Sequence, residues 1–291
     1  MTTFLQLVLN GLMLGGLFAI VSIGLTLVFG IVRVVNFAHG EFLMIGMYVV
    51  YLSTTAFGIH PYLTAPPLVV GFFIVGLAVQ RFVIQPLLEA RDPHVQIFAT
   101  VGISIALINL ALLLFGADIR ATPSGGTRVP VQVGPFRLLV GQIVMFACGV
   151  VVVLGLQYFL TRTHLGRGIR ATAQNRPAAQ LMGVDVKAIY MITFGIGLAC
   201  VGLAAALVAP MYPVAPTTGI YFVLIAFVVV VLGGMGSVTG AFIGGLIIGL
   251  IDSLSGYYIA PSLKEVTMFG LFLLILIFRP TGLFGLGRGS E

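Results

Sequence analysis

From Phe4 to Val32 the chain runs without a single Asp, Glu, Lys, Arg or His. At 1.5 Å per residue a helix of that length reaches about 43 Å, more than the roughly 30 Å of hydrocarbon in a bilayer. A helix this long that is apolar on every side has lipid or other apolar helices all round it. The rest of the sequence repeats the pattern. Apolar segments follow at approximately Glu41–Phe57, Tyr62–Ile84, Ile97–Phe115, Gly141–Leu160, Ala188–Ala209, Tyr221–Gly233, Val238–Leu254 and Lys264–Phe278. Only 8% of the 291 residues are charged, and mean hydropathy is +1.18. A soluble domain carries about 25% charged residues. The sequence therefore predicts an all-α, polytopic transmembrane helix bundle of about eight to ten spans, with residues 1–291 forming one membrane domain.

Charge sets the orientation. The loop from Thr161 to Lys187 holds Arg162, Arg167, Arg170, Arg176 and Lys187 against Asp185 alone, which marks it as cytoplasmic. Alternating outward from it puts Arg33, the stretch Gln85–Gln96 and the tail with Arg279 and Arg288 on the same side. Arg120, Arg128, Arg137 and Lys264 fall outside, as does the start of the chain. The net charge of +6 is thus accounted for by orientation and gives no reason to expect nucleic acid. The opening residues lack the charged n-region of a cleavable signal, so the first span is expected to remain. Cys148 and Cys200 lie singly in apolar runs, with no metal, redox or disulfide spacing. Between residues 117 and 140 the sequence reads as turns with a short hairpin.

Small residues at four-residue spacing let helix backbones approach closely. Gly11 with Gly15, Gly236 with Gly240 and Gly244, and Gly245 with Gly249 carry that spacing. The short segment Tyr221–Gly233 is either a half-helix or one part of an element broken at Gly233–Ser237. Those glycines do not make a phosphate loop, since no Lys-Ser/Thr ending follows and no Walker A sequence occurs elsewhere. Energy for any transport then comes from a partner or an ion gradient.

Two places carry chemistry. Within the basic loop, Asn175 can cap a helix, Pro177 fits its first turn and Gly183 can stop it, leaving about two turns with Ala178, Leu181 and Met182 on one face. Such a helix is either a docking surface for a protein or part of a basic loop held by anionic lipid headgroups. The second place is Asn36-Phe-Ala-His39-Gly-Glu41, polar and ionisable groups between two apolar spans with almost no loop. One reading is an interfacial turn, with Asn36 as cap and Glu41 favouring the next helix start. The other is a broken or re-entrant element lining a transport path or gate. His39 and Glu41, two residues apart, fall on nearly opposite helix faces, which argues against a shared metal.

Ala178-Ala179-x-x-x-Gly183 resembles the Glu-Ala-Ala-x-x-x-Gly loop by which permeases of ABC importers dock their ATPase subunits. Residues 24–42 and 233–241 look like the branched-chain amino-acid permease family in particular, and the likeness extends over essentially the whole chain. Pro177 stands where the loop usually carries an acid. The resemblance implies a coupling helix formed by Asn175, Arg176, Pro177, Ala178, Ala179, Leu181, Met182 and Gly183. It implies no cofactor in this chain, with ATP-Mg on two cytoplasmic ATPase subunits. It further implies a second permease subunit, homologous or identical, and a periplasmic or extracellular substrate-binding protein at a bacterial inner membrane. The substrates implied are branched-chain or related hydrophobic amino acids, with urea, amides or small aromatic acids as alternatives. An ion-coupled transporter using His39 and Glu41 would leave the docking-like loop unexplained. An intramembrane enzyme would need a nucleophile–base or metal constellation that the sequence does not contain.

Overall fold

The computed structural model describes residues 2–88, 94–279 and 281–284. Among these, eight helices are long and apolar enough to cross a membrane, and a ninth apolar helix, Thr218–Gly233, is shorter. The chain is a multi-pass membrane protein. Its helices in order are α1 (Thr2–Val32), α2 (His39–Phe57), α3 (Ala65–Val79), α4 (Gln85–Leu88), α5 (His94–Phe115), α6 (Val140–Arg162), α7 (His164–Gln174), α8 (Arg176–Leu181), α9 (Val186–Val208), α10 (Thr218–Gly233), α11 (Val238–Tyr258) and α12 (Lys264–Phe278). A π-helical turn, Gln80–Ile84, joins α3 and α4 into one long span. A hairpin of β1 (Pro130–Val133) and β2 (Phe136–Leu139) pairs Pro130 with Leu139 and Val133 with Phe136, where the sequence predicts it.

The layout follows from what each helix surface can meet. α1 and α9 form the centre and are mostly buried. Helices α5, α6 and α12 lie outside them with their apolar side chains turned outward, Leu113 82% and Ile277 78% exposed. In water that surface would drive aggregation; against lipid it is the favourable one.

Central helices meet through glycine. A Cβ on Gly15 of α1 would lie 2.6 Å from Leu246 Cα, and one on Gly11 would lie 2.8 Å from Leu250 Cα. Gly245 and Gly249 of α11 meet Gly15 and Gly11 in return, so the two glycine stripes are one interface. Gly24 of α1 meets Gly197 of α9 in the same way. Gly240 and Gly244 pack on Gly233 of α10. Gly236 differs from the sequence expectation: it precedes α11, has φ +90°, and meets Gly30 from the turn between α10 and α11. It serves as a left-handed turn residue, a conformation glycine adopts without a Cβ penalty. α10 is a helix of its own rather than one part of a broken element.

Contacts between loops define two ends. At one end Gln6 of α1 donates to Arg137 O and accepts from Arg137 N, His60 Nε2 is 2.8 Å from Gly125 O, and Arg120 pairs with Val214. At the other, α7 and α8 lie beside the ends of α1 and α9, and Leu283 and Phe284 donate to Leu232 O and Gly233 O. The second end carries Arg33, Arg81, Arg162, Arg167, Arg170, Arg176, Lys187 and Arg279, and is called inner here. Residues 89–93, within the predicted inner stretch Gln85–Gln96, and Arg288 lie outside the described residues. The basic side chains at the outer end have local duties. Arg120 donates to Phe115 O at 2.7 Å and Arg128 to Pro210 O at 3.1 Å, tying the hairpin region to the bundle.

Candidate functional site

α1 closes at Arg33, whose N–H donates to Phe29 O at 3.0 Å and whose φ is +59°. That left-handed setting costs a non-glycine residue about 1–2 kcal/mol. The chain then stays unwound until His39. Asn36 Oδ1 accepts the Ala38 N–H at 3.1 Å, an Asx turn, and Thr100 Oγ1 of α5 lies 3.1 Å from Val35 O. These contacts take up backbone groups that a helix would otherwise satisfy. Asn36 is therefore a turn former and not the cap; Ala38 occupies the cap position and makes no side-chain capping bond.

The unwound segment runs back into the bundle. His39 is wholly buried, with Nε2 2.9 Å from Val21 O. Since a carbonyl only accepts, Nε2 carries the hydrogen. Val21 lies eleven residues from Val32 along α1, about 16 Å at 1.5 Å per residue. His39 thus sits well inside the bundle, about 16 Å from the inner end of α1, which does not match an interfacial turn. Gly40 meets the backbone of Gly219, so the N-terminal ends of α2 and α10 come together there. Phe37 packs on Phe227 with ring centroids 5.3 Å apart.

His39 faces α1, whereas Glu41 lies within reach of Ser104 on α5, the opposite-face arrangement that their spacing predicts. Glu41 is 1% exposed. Among the described residues, Asn36 Nδ2, His39 Nδ1, Glu41 Oε2 and Thr26 Oγ1 are buried with no hydrogen-bond partner. Each such atom costs about 1–3 kcal/mol, so these groups work against stability. Groups of this kind inside a membrane bundle are a mark of transport paths and gates.

The inner end is built differently. Asn175 Oδ1 accepts from Ala178 N at 3.0 Å and caps α8, with Pro177 in its first turn. Gly183, at φ +81°, donates to Gln180 O, and Val184 donates to Ala179 O, both at 3.0 Å. Those two bonds make a Schellman stop. Ala179 is buried, while Leu181 is 89% and Met182 84% exposed. The Arg176 guanidinium lies 5.4 Å from the Tyr190 ring of α9, fixing the near end of α8 to the bundle.

Nothing in the apolar pattern of the sequence marks α7. Thr163 Oγ1 accepts from Gly166 N at 3.0 Å to start it, and Ile169 and Thr172 are buried beneath it. In the sequence the only local signal is the Thr163-x-x-Gly166 start, set among closely spaced arginines. Nor does sequence reveal that Arg33, Gln96, Asn175, Arg176 and Tyr190 border one inner cavity of ≈ 500 Å³. Arg33, at the end of α1, and Asn175, the cap of α8, thus line the same cavity.

The family model described as "Branched-chain amino acid transport system / permease component" matches residues 7–276. The chain is 32% identical to the high-affinity branched-chain amino acid transport system permease protein BraD of Pseudomonas aeruginosa, covering 97% of this chain and 96% of that protein. It is 34% identical to LivH of Escherichia coli K12, a permease protein of the same kind of system, with the same coverage. It is 30% identical to the probable branched-chain amino acid transport permease protein LivH of Methanocaldococcus jannaschii, covering 88% of this chain and 83% of that one. No solved structure matches it significantly.

Proposed function

Because this chain belongs to the family of branched-chain amino acid transport permease components, we propose that it is the membrane-spanning subunit of an ATP-driven importer of branched-chain or related hydrophobic amino acids. It acts as one permease domain in a bacterial inner membrane. It pairs with a second permease subunit, homologous or identical, and receives substrate from a periplasmic or extracellular binding protein. Two cytoplasmic ATPase subunits bind ATP-Mg and hydrolyse it; this chain supplies the path and performs no bond chemistry.

One observation carries the reading: Leu181 and Met182 stand almost fully exposed on a capped and stopped helix at the basic end of the bundle. Large apolar side chains held in water on a rigid helix suit a protein groove, and the preceding Asn175–Ala179 turn passes the load to α9 through Arg176 and Tyr190. Closure of an ATPase dimer would move α8, shift the balance between inward- and outward-open bundles, and act on the broken segment across the inner cavity. Asn36, His39 and Glu41 then line the path or gate inside the bundle.

The test is to co-purify the tagged permease with its ATPase partners after Leu181→Asp and Met182→Asp. The expected result is normal membrane insertion, loss of ATPase association, and loss of ATP-dependent amino-acid uptake. Retained association and uptake in the double variant would refute the docking role.

A further inference from the structure

We propose that the outer cavity bordered by α1, α6, α11 and α12 is a docking site for a zwitterionic amino acid, with Asp252 taking its ammonium and Lys264 its carboxylate. The inference rests on the permease reading above and adds a site to it. The cavity has a volume of ≈ 440 Å³, within the usual range for small-molecule sites. Asp252, near the end of α11, is 9% exposed, and its Oδ2 lies 3.0 Å from Nζ of Lys264, the first residue of α12.

The pair is poorly explained as a strap. The Lys264 side chain is 38% exposed against 12% for Asp252, and an ion pair open to water on one side adds only modestly to stability. The Asp252 carboxylate is the better buried partner, its side chain 12% exposed, and a buried charge in a membrane bundle calls for a partner or a role. Beside the pair the wall divides into two kinds. Leu7 and Leu14 of α1 offer apolar surface, whereas Asn10, Gln142 and Tyr212 offer neutral hydrogen-bonding groups. Burial, and then the neighbouring charges of Tyr221 and Asp252, push the Tyr212 phenol above its ordinary value, so it stays neutral there. Ser253 Oγ donates to Leu7 O at 2.8 Å and holds the end of α11 against α1 at the cavity edge.

Opposite charges presented side by side select a particular ligand chemistry. A simple cation or anion that broke the pair would leave the other charge of the pair unmatched. An α-amino acid carries an ammonium and a carboxylate on one carbon, and so replaces both halves of the pair at once. Its aliphatic side chain can then lie against Leu7 and Leu14. The site is at the outer end, where a binding protein would release substrate, and it is separate from the buried cluster at His39.

The experiment uses the complete importer, reconstituted with its binding protein and ATPase subunits, and measures initial uptake of radiolabelled L-leucine together with thermal unfolding. Asp252→Asn and Lys264→Met should each raise the KM of uptake tenfold or more. The charge-swapped double variant, Asp252→Lys with Lys264→Asp, re-forms the ion pair. It should recover the unfolding temperature while uptake stays at least tenfold impaired, because the substrate would have to bind reversed. Uptake restored to the unmodified level in the swap, or unaffected in the single variants, would overturn the site. If the charge variants do not fold, Tyr257→Cys at the cavity rim, 61% exposed, gives a second readout. L-leucine should slow its labelling by an impermeant thiol reagent, and isoamylamine or 4-methylpentanoate, each lacking one charge, should not. Absence of protection by L-leucine counts against the site. If the unmodified importer takes up no aliphatic amino acid, the substrate reading itself fails, an outcome distinct from normal uptake with a neutral swap.

Discussion

The imidazole of His39, at the first position of α2, donates from Nε2 to the carbonyl of Val21 in the middle of α1, 2.9 Å away. One hydrogen bond thereby sets the depth at which the second helix begins. Replacing His39 by Ala removes the donor and leaves a void beside Gly24, whose added Cβ would approach the ring at 3.1 Å. The expected cost is about 2–4 kcal/mol from the lost bond and cavity together. We expect His39→Ala to insert in the membrane, to unfold at lower temperature in detergent, and to lose at least tenfold in uptake rate. A variant that is destabilised but transports normally would assign His39 to structure alone.

The α1–α11 interface predicts a contrast between two glycines. Gly15→Ala places a Cβ 2.6 Å from Leu246 Cα and should destabilise the bundle by about 1–3 kcal/mol. Gly71→Ala in α3, where a Cβ meets nothing within 4 Å, should be neutral or slightly stabilising. Thermal unfolding in one detergent compares them directly, and equal effects would contradict the interface.

At the inner end, Asn175→Ala should cost α8 about 1 kcal/mol of capping, and Gly183→Ala about 1–2 kcal/mol because φ is +81° there. Both residues are exposed and remote from the core. The expected outcome is unchanged unfolding of the bundle with weaker ATPase binding, measured by titrating the ATPase subunit onto the purified permease.

Sidedness can be read with cysteines. Arg167→Cys and Arg137→Cys lie at opposite ends of the bundle, and both positions are exposed. In intact cells an impermeant thiol reagent should label Arg137→Cys and leave Arg167→Cys unlabelled until the membrane is opened. The reverse result would invert the topology.

Much of this architecture was legible because its signals are local. Each apolar run became a helix, within a few residues of its sequence bounds, since about 20 apolar residues satisfy their own backbone only that way in lipid. Asn175, Pro177 and Gly183 announced the ends of α8 because capping depends on neighbours within one turn. Gly236 does pack closely, on Gly30 of α1, but from a turn and not from a helix face. Its spacing to Gly240 suggests a helix stripe, and only its backbone conformation distinguishes a turn.

What the sequence settled by itself, then, is membrane residence, the order and approximate extent of the apolar helices, the hairpin, and the presence of a capped helix in the basic loop. These follow from hydrophobic length and short-range hydrogen bonding. Tertiary structure alone decided the rest: that the Gly11–Gly15 stripe meets Gly245–Gly249, that His39 reaches Val21 in the middle of α1, that Arg33 and Asn175 share a cavity, and that Asp252 faces Lys264. A glycine stripe or a lone charge looks the same in sequence whichever helix it meets. Its partner is fixed by the simultaneous packing of all the helices, a non-local property that no single stretch of chain contains.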